Sequence, residues 1–258
     1  MLDITQIESY YPEQLRPFKK NLLREYIQYK ILEVIFASPF ASSLSFTGGT
    51  AIRIVHAGTR FSEDLDFDNR SLDRDSFEKL SNLIARRLEM EGYEAEVKNT
   101  TRTAFRSSVQ IPGILSEAGI SRHRDEKLTI RIDAEPQDFD YISQGVIINK
   151  FGLFTRIHAV PADILLAQKI ACIFTRKRVM GRDFYDIIFL MEKARPNMDY
   201  IENKLLINSG AALKKKIIRR CRGLDFQALS KDLAPFLMNP SDSVKIISFP
   251  DYIETIEF

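Results

Sequence analysis

In "SEDLDFDN", residues 62–69, Asp64, Asp66 and Asp68 recur at every second position and alternate with Leu65 and Phe67. On a strand, residues two apart project from one face at a spacing of roughly 6.5–7 Å. Three carboxylates would therefore share a face while Leu65 and Phe67 turn to a core. Carboxylates so placed repel one another, and a divalent cation relieves the repulsion. Mg²⁺ favours carboxylate oxygens and water, with phosphate oxygens completing its shell. The stretch "LTIRIDAE", residues 128–135, sets Ile130 and Ile132 on one face and Arg131, Asp133 and Glu135 on the other, which makes Asp133 a candidate third ligand. Any half-exposed strand shows such alternation, so this second strand is the less specific of the two.

Upstream, Gly48 and Gly49 stand between an apolar stretch, "SLSF", and the helix-like "TAIRIVHAG". Backbone N–H groups at a turn entering a helix N-terminus form a phosphate cradle, and glycine lets the ligand approach closely. Thr50 adds a hydroxyl. Alone, a Gly-Gly-Thr turn says little, and an acidic strand edge is commonly just solvated. A phosphate cradle followed by a strand of metal-binding acids, however, describes a site for nucleotidyl transfer from an NTP.

The elements that must hold these residues follow from periodicity. Residues 12–37 predict an amphipathic helix, "SLSFTGG" a short strand and turn, and "TAIRIVHAG" a helix from Thr50 that stops at Gly58. "DLDFDN" predicts a strand, and "DRDSFEKLSNLIARRLEMEG" a helix with a capping start and a glycine stop. "YEAEVKN", "AFRSSVQI" and "LTIRIDAE" add three strands. After about Pro161 come five helix-like segments: "PADILLAQKIACIFTRK", "GRDFYDIIFLMEKA", "MDYIENKLLIN", "AALKKKIIRRC" and "DFQALSKDLAPFL". The expected fold class is α+β, with a mixed sheet and flanking helices over residues 1–158 and a helical bundle over 159–258.

The 258 residues, 45% of them apolar, suffice for a substantial core. With 37 Lys and Arg against 35 Asp and Glu, the formal charge is only +2, so contact with nucleic acid must come from local patches. No apolar run approaches the roughly 18 residues of a membrane span, and the first twenty residues lack a signal-peptide pattern, so a cytoplasmic protein without a membrane partner is expected. Cys172 and Cys221 are far apart and indicate neither a disulfide framework nor zinc. His56, His123 and His158 are not spaced for metal.

The glycine turn, short helix and acid-apolar-acid-apolar strand together resemble the polymerase-beta-like nucleotidyltransferases. "GGT" followed by "SEDLDF" is similar, more particularly, to the AbiEii/AbiGii toxin nucleotidyltransferases. Here fourteen residues, Thr50 to Glu63, separate Gly49 from Asp64, a slightly long spacing. Later motifs agree: Lys169 lies in a predicted helix, and "RDFYDI" places Asp183 and Asp186 three apart on one helix face. The resemblance spans residues 46–190. It implies that Asp64 and Asp66 hold Mg²⁺, that Gly48, Gly49 and Thr50 bind NTP phosphates, that Lys169 contacts the triphosphate, and that Asp183 completes the catalytic set. Asp133, by analogy with polymerases, or Asp183, by the toxin pattern, would steer the attacking hydroxyl's proton. Arg60, just before "FSEDLDF", is a candidate phosphate contact or an ordinary arginine.

The resemblance further implies NMP transfer to RNA, tRNA 3′ ends in particular, a resulting block of translation, and a cognate antitoxin. Within the sequence, Lys214, Lys215, Lys216, Arg219, Arg220 and Arg222 form an acid-free run, and Arg176, Lys177, Arg178 and Arg182 a second cluster. Both read as phosphate-backbone tracks or as solvated helix faces. Other acceptors, a protein side chain or a small molecule such as an antibiotic, and a non-catalytic nucleotide-binding role are the alternatives.

Overall fold

The structure, a computed structural model, describes residues 2–101 and 104–258. It divides into two compact units. The first comprises Met1–Ala57, Ser62–Asp138 and Ser143–Ala159, and the second Gly58–Phe61, Phe139–Ile142 and Val160–Phe258.

The first unit opens with α1 (Ile4–Glu8), a 3₁₀ turn (Glu13–Phe18) and α2 (Lys19–Phe36). Then follow β1 (Leu44–Thr47), α3 (Gly48–Val55), β2 (Leu65–Asn69), α4 (Arg74–Met90), β3 (Glu96–Thr101), β4 (Phe105–Ile111), α5 (Ile114–Glu117), β5 (Leu128–Pro136), β6 (Gln144–Lys150) and β7 (Leu153–Ala159). Among the described residues the strands form one mixed seven-stranded sheet in the order β3-β4-β5-β2-β1-β7-β6. The β2–β5 and β1–β7 pairs are parallel, the rest antiparallel. All four residues of β1 are buried, as expected of a central strand covered on both faces. Phe46 and Phe67 pack across β1 and β2 with ring centroids 5.4 Å apart, and Phe36 of α2 lies 6.2 Å from Phe67.

Three local readings are corrected. The glycine pair is the first turn of α3 rather than a loop before it, so the helix starts at Gly48 and ends at Val55. Helix α2 is not amphipathic: its buried residues include Glu25, Gln28 and Lys30, because the helix is enclosed on several sides and its polar groups find partners there. The hairpin β6–β7 had not been expected.

The second unit is helical: α6 (Ala162–Thr175), α7 (Gly181–Met191), α8 (Met198–Leu205), α9 (Gly210–Cys221), α10 (Phe226–Leu233), α11 (Ser243–Ile247) and α12 (Phe249–Thr255). Phe184 packs edge-on against Phe226 and Phe249, at 5.2 and 4.7 Å between centroids. Gly181 sits so close to the Leu229 carbonyl that a Cβ would overlap it, which brings α7 and α10 together. The short segment Gly58–Phe61, between α3 and β2 in the chain, is built into this unit. Phe61 N donates to Phe236 O at 2.8 Å, Arg60 bridges Leu237, and Thr59 Oγ1 lies 2.8 Å from the Tyr185 hydroxyl. The long spacing between the glycine turn and the acidic strand thus has a physical reason.

Candidate active site

The carboxylates are set out by strand register. Thr47, Asp66, Asp133 and Arg106 are successive partners across β1, β2, β5 and β4, so they occupy one rung and one face of the sheet. The next rung, Phe46, Phe67, Ala134 and Phe105, points the other way, toward the apolar side. The rung after it returns Ser45, Asp68 and Glu135 to the polar face, where Asp68 is buried. Asp64 immediately precedes β2, where Leu65 pairs with Ile132, and so stands level with Arg131.

The glycine turn closes directly on this face. Gly48 has φ +75°, and a Cβ there would overlap the Asp66 carboxylate, so backbone and carboxylate are in contact. The side chain of Thr47, at the N-cap of α3, makes no capping hydrogen bond. Gly49 and Thr50 are buried within that turn. The Thr50 hydroxyl donates to the Asp64 carbonyl oxygen and so ties the start of α3 to the residue that opens the acidic strand.

Asp64 is clamped by Arg131, whose Nε and Nη2 donate to its two carboxylate oxygens at 3.1 and 2.5 Å. Arg106 Nε lies 3.5 Å from Asp133 Oδ1 and its Nη2 3.7 Å from Glu135. Burial raises Asp133 above the usual carboxylate range, with Arg106 opposing and the Asp64 charge adding to the rise. Hydrogen bonds to Asp64 raise the Arg131 guanidinium in turn. The sequence alone assigns neither arginine a role, although the alternation in "LTIRIDAE" places Arg131 on the face of Asp133.

These donors suit a hard divalent cation. They are carboxylates on neighbouring strands, and Asp133 Oδ1 is a buried oxygen without a hydrogen-bond partner. Among the described residues, no three His, Cys, Asp or Glu side chains are gathered into a ready ion cage.

Lys169, Asp183, Asp186 and Arg60 meet in the interior of the helical unit, and all four are buried. Arg60 Nε and Nη2 donate to the two Asp186 oxygens at 2.6 Å each, while Nη1 donates to Phe61 O at 2.9 Å. Lys169 Nζ lies 2.8 Å from Asp186 and 3.4 Å from Asp183, and Arg176 reaches Asp183 at 2.9 Å. Burial works against the Asp186 charge, yet Arg60 and Lys169 hold it below the usual carboxylate range. Likewise burial opposes the Lys169 charge, while Asp186 and Asp183 raise it. Helix periodicity places Asp183 and Asp186 on one face, and the structure adds Arg60, from far upstream, as the partner of Asp186.

The basic run on α9 is mixed in its exposure. Lys214 Nζ donates to the carbonyls of Glu254 and Ile256, both at 2.8 Å, Lys216 to Leu205 O at 3.3 Å, and Arg220 Nε to Ile173 O at 2.9 Å. Lys215, Arg219 and Arg222 are exposed, as are Lys177 and Arg178, the latter paired with Asp232 at 3.2 Å. Among the described residues no helix is long and apolar enough to cross a membrane.

The fold is shared with solved structures. JHP933 from Helicobacter pylori is 19% identical, with a TM-score of 0.55 over 90% of this chain and 91% of its own. A protein from H. pylori provisionally assigned as a nucleotidyltransferase is 17% identical, with a TM-score of 0.54 over 94% and 96% of the two chains. No curated protein sequence matches this chain. The sequence profile of the nucleotidyl transferase AbiEii toxins matches residues 30–249, which takes in the glycine turn, both acidic strands and the interior Lys169–Asp186 cluster. The chain belongs to that family, the nucleotidyltransferase toxins of type IV toxin–antitoxin systems.

Proposed function

We propose that this nucleotidyltransferase uses Mg²⁺ and an NTP to place NMP on RNA, at tRNA 3′ ends, and so blocks translation in the cytoplasm until a cognate antitoxin restrains it. The observation that carries the proposal is the contact between Gly48 and Asp66. It brings a helix N-terminus, which favours phosphate, against a strand face whose register partner, Asp133, adds a second carboxylate.

The division of labour follows from that placement. The first-turn amides of α3 bind and orient the β- and γ-phosphates, and glycine at 48 lets the phosphate chain lie close to Asp66. Asp64, Asp66 and Asp133 are the residues that would hold Mg²⁺, which when bound neutralises triphosphate charge and favours in-line attack. Asp133, on the same face, or Asp183, by the family pattern, would accept the proton of the attacking hydroxyl. Lys169 and Asp183 are proposed to support catalysis on the strength of the family resemblance. The exposed cations Lys215, Arg219 and Arg222 offer a sequence-independent track for an RNA backbone.

The test is incubation with Mg²⁺, each α-labelled NTP in turn and total tRNA, beside Asp66→Asn. Label should move to tRNA only with the unaltered protein. Label on protein or on a small molecule, or none anywhere, overturns the choice of acceptor.

A further inference from the structure

Arg131 is a large cation on the proposed reaction face, and its side chain is 61% exposed while both Asp64 oxygens are bound to it. Arg106, 59% exposed, flanks Asp133 and Glu135 on the same face. An ion pair so open to water is screened and adds little to folding. The guanidinium and a divalent cation require the same Asp64 oxygens, so one must yield to the other. A guanidinium that has yielded keeps its planar fork, which matches phosphate oxygens as well as it matches a carboxylate. Arg131 is on β5, two residues before Asp133, so a short side-chain rotation leaves it beside the carboxylates.

Resting on the nucleotidyltransferase reading of this face, we propose that Arg131 is a substrate-phosphate ligand that guards Asp64 until substrate arrives. Before binding it is the counter-ion of Asp64. When the cation enters with its triphosphate, Arg131 releases Asp64 and takes a phosphate oxygen of the triphosphate. Metal alone therefore binds against competition, and metal with triphosphate binds with assistance. Arg106 stands in the same relation to Asp133 at longer range, and only Arg131 is given the exchange.

The experiment uses the full chain and two base-free probes: Mn²⁺ alone, followed by electron paramagnetic resonance, and the Mn²⁺–tripolyphosphate complex. Arg131→Met should bind Mn²⁺ alone several-fold more tightly than the unaltered protein and the tripolyphosphate complex roughly tenfold more weakly, without change in melting temperature. Arg131→Lys, which keeps the charge and loses the fork, should recover only part of the tripolyphosphate affinity. Unchanged or weaker Mn²⁺ binding in Arg131→Met overturns the guarding role, and unchanged tripolyphosphate binding overturns the phosphate role. If neither the unaltered protein nor Arg131→Met binds Mn²⁺, or if Asp66→Asn binds it as well as the unaltered protein, the reading of the face itself fails and the proposal with it.

Discussion

Gly48 and Asp66 occupy adjoining space: the carboxylate of Asp66 stands where a side chain at position 48 would be. Thr47 is the register partner of Asp66, so the last residue of β1 and the acid of β2 are fixed before the chain turns into α3. Glycine is required here twice, for its φ of +75° and for the close approach.

Gly48→Ala should therefore damage function more than stability. The left-handed conformation costs an alanine on the order of 1–2 kcal/mol, and relief of the overlap moves either the α3 N-terminus or Asp66. Binding of the Mn²⁺–tripolyphosphate complex should fall by at least about tenfold, a loss worth roughly 1.4 kcal/mol. Thermal melting beside a binding titration checks this. A variant that melts lower yet binds normally would dissociate the turn from phosphate binding.

Asp186→Asn should be strongly destabilising. It leaves Arg60 buried against a neutral partner, while Lys169 keeps only Asp183, at 3.4 Å, and breaking a buried pair in this way costs roughly 3–5 kcal/mol. The pH dependence has a definite sign. Because the folded state holds Asp186 below the unfolded value of about 3.9, its contribution is complete above that pH and declines as pH falls through the folded value. The stability gap between the two proteins, measured by urea unfolding, should be widest near neutrality and narrow below about pH 4. A gap that stays constant down to pH 3 would show that the Asp186 charge does not act through these partners.

Much of the reaction face was legible because strand alternation is local: residues 64–69 and 130–135 each declare their two faces, and only their mutual register had to come from the fold. The pairing of Arg60 with Asp186 was not legible, since 126 residues separate them and nothing near either names the other. The β6–β7 hairpin was missed for a local reason. Its two-residue turn is Phe151-Gly152, with φ of +58° and +77°. Such turns ordinarily announce themselves with asparagine or aspartate in the first place. Phenylalanine is tolerated there because it is buried among Tyr10, Tyr11, Tyr26 and Tyr29, with centroids 5.0–6.0 Å away.

The basic helix α9 should separate into two classes on mutation. Charge reversal at the exposed Lys215, Arg219 and Arg222 should shift stability by under about 0.5 kcal/mol. It should also weaken RNA binding and lower the slope of log affinity against log salt by roughly 0.7–0.9 for each phosphate that is no longer neutralised. Lys214→Met and Arg220→Met should instead lower the melting temperature, because those cations satisfy carbonyls at Glu254, Ile256 and Ile173. Filter binding across a salt series, with melting curves, distinguishes the classes. An unchanged salt slope in the triple reversal would remove α9 as the RNA track.

Glu25 is the corresponding test in the first unit. It is buried, accepts from Lys150 Nζ at 2.8 Å, Arg53 Nε at 2.8 Å and the Tyr11 hydroxyl at 2.9 Å, and so links α2 to α3 and to the β6–β7 hairpin. Burial works against its charge, but Arg53 and Lys150 hold it below the usual carboxylate range. Lys150 also lies 3.7 Å above the Tyr11 ring, a second interaction for the same cation. Glu25→Gln leaves two cations around a neutral amide and should cost roughly 3–5 kcal/mol. Lys150→Met alone should cost less, because Arg53 still neutralises Glu25. The double variant should be less damaged than the sum of the singles, with a coupling of about 1–3 kcal/mol. Urea unfolding of the four proteins completes the cycle. Strict additivity would mean that Glu25 and Lys150 stabilise the unit independently, and that Arg53 alone sets the charge of Glu25.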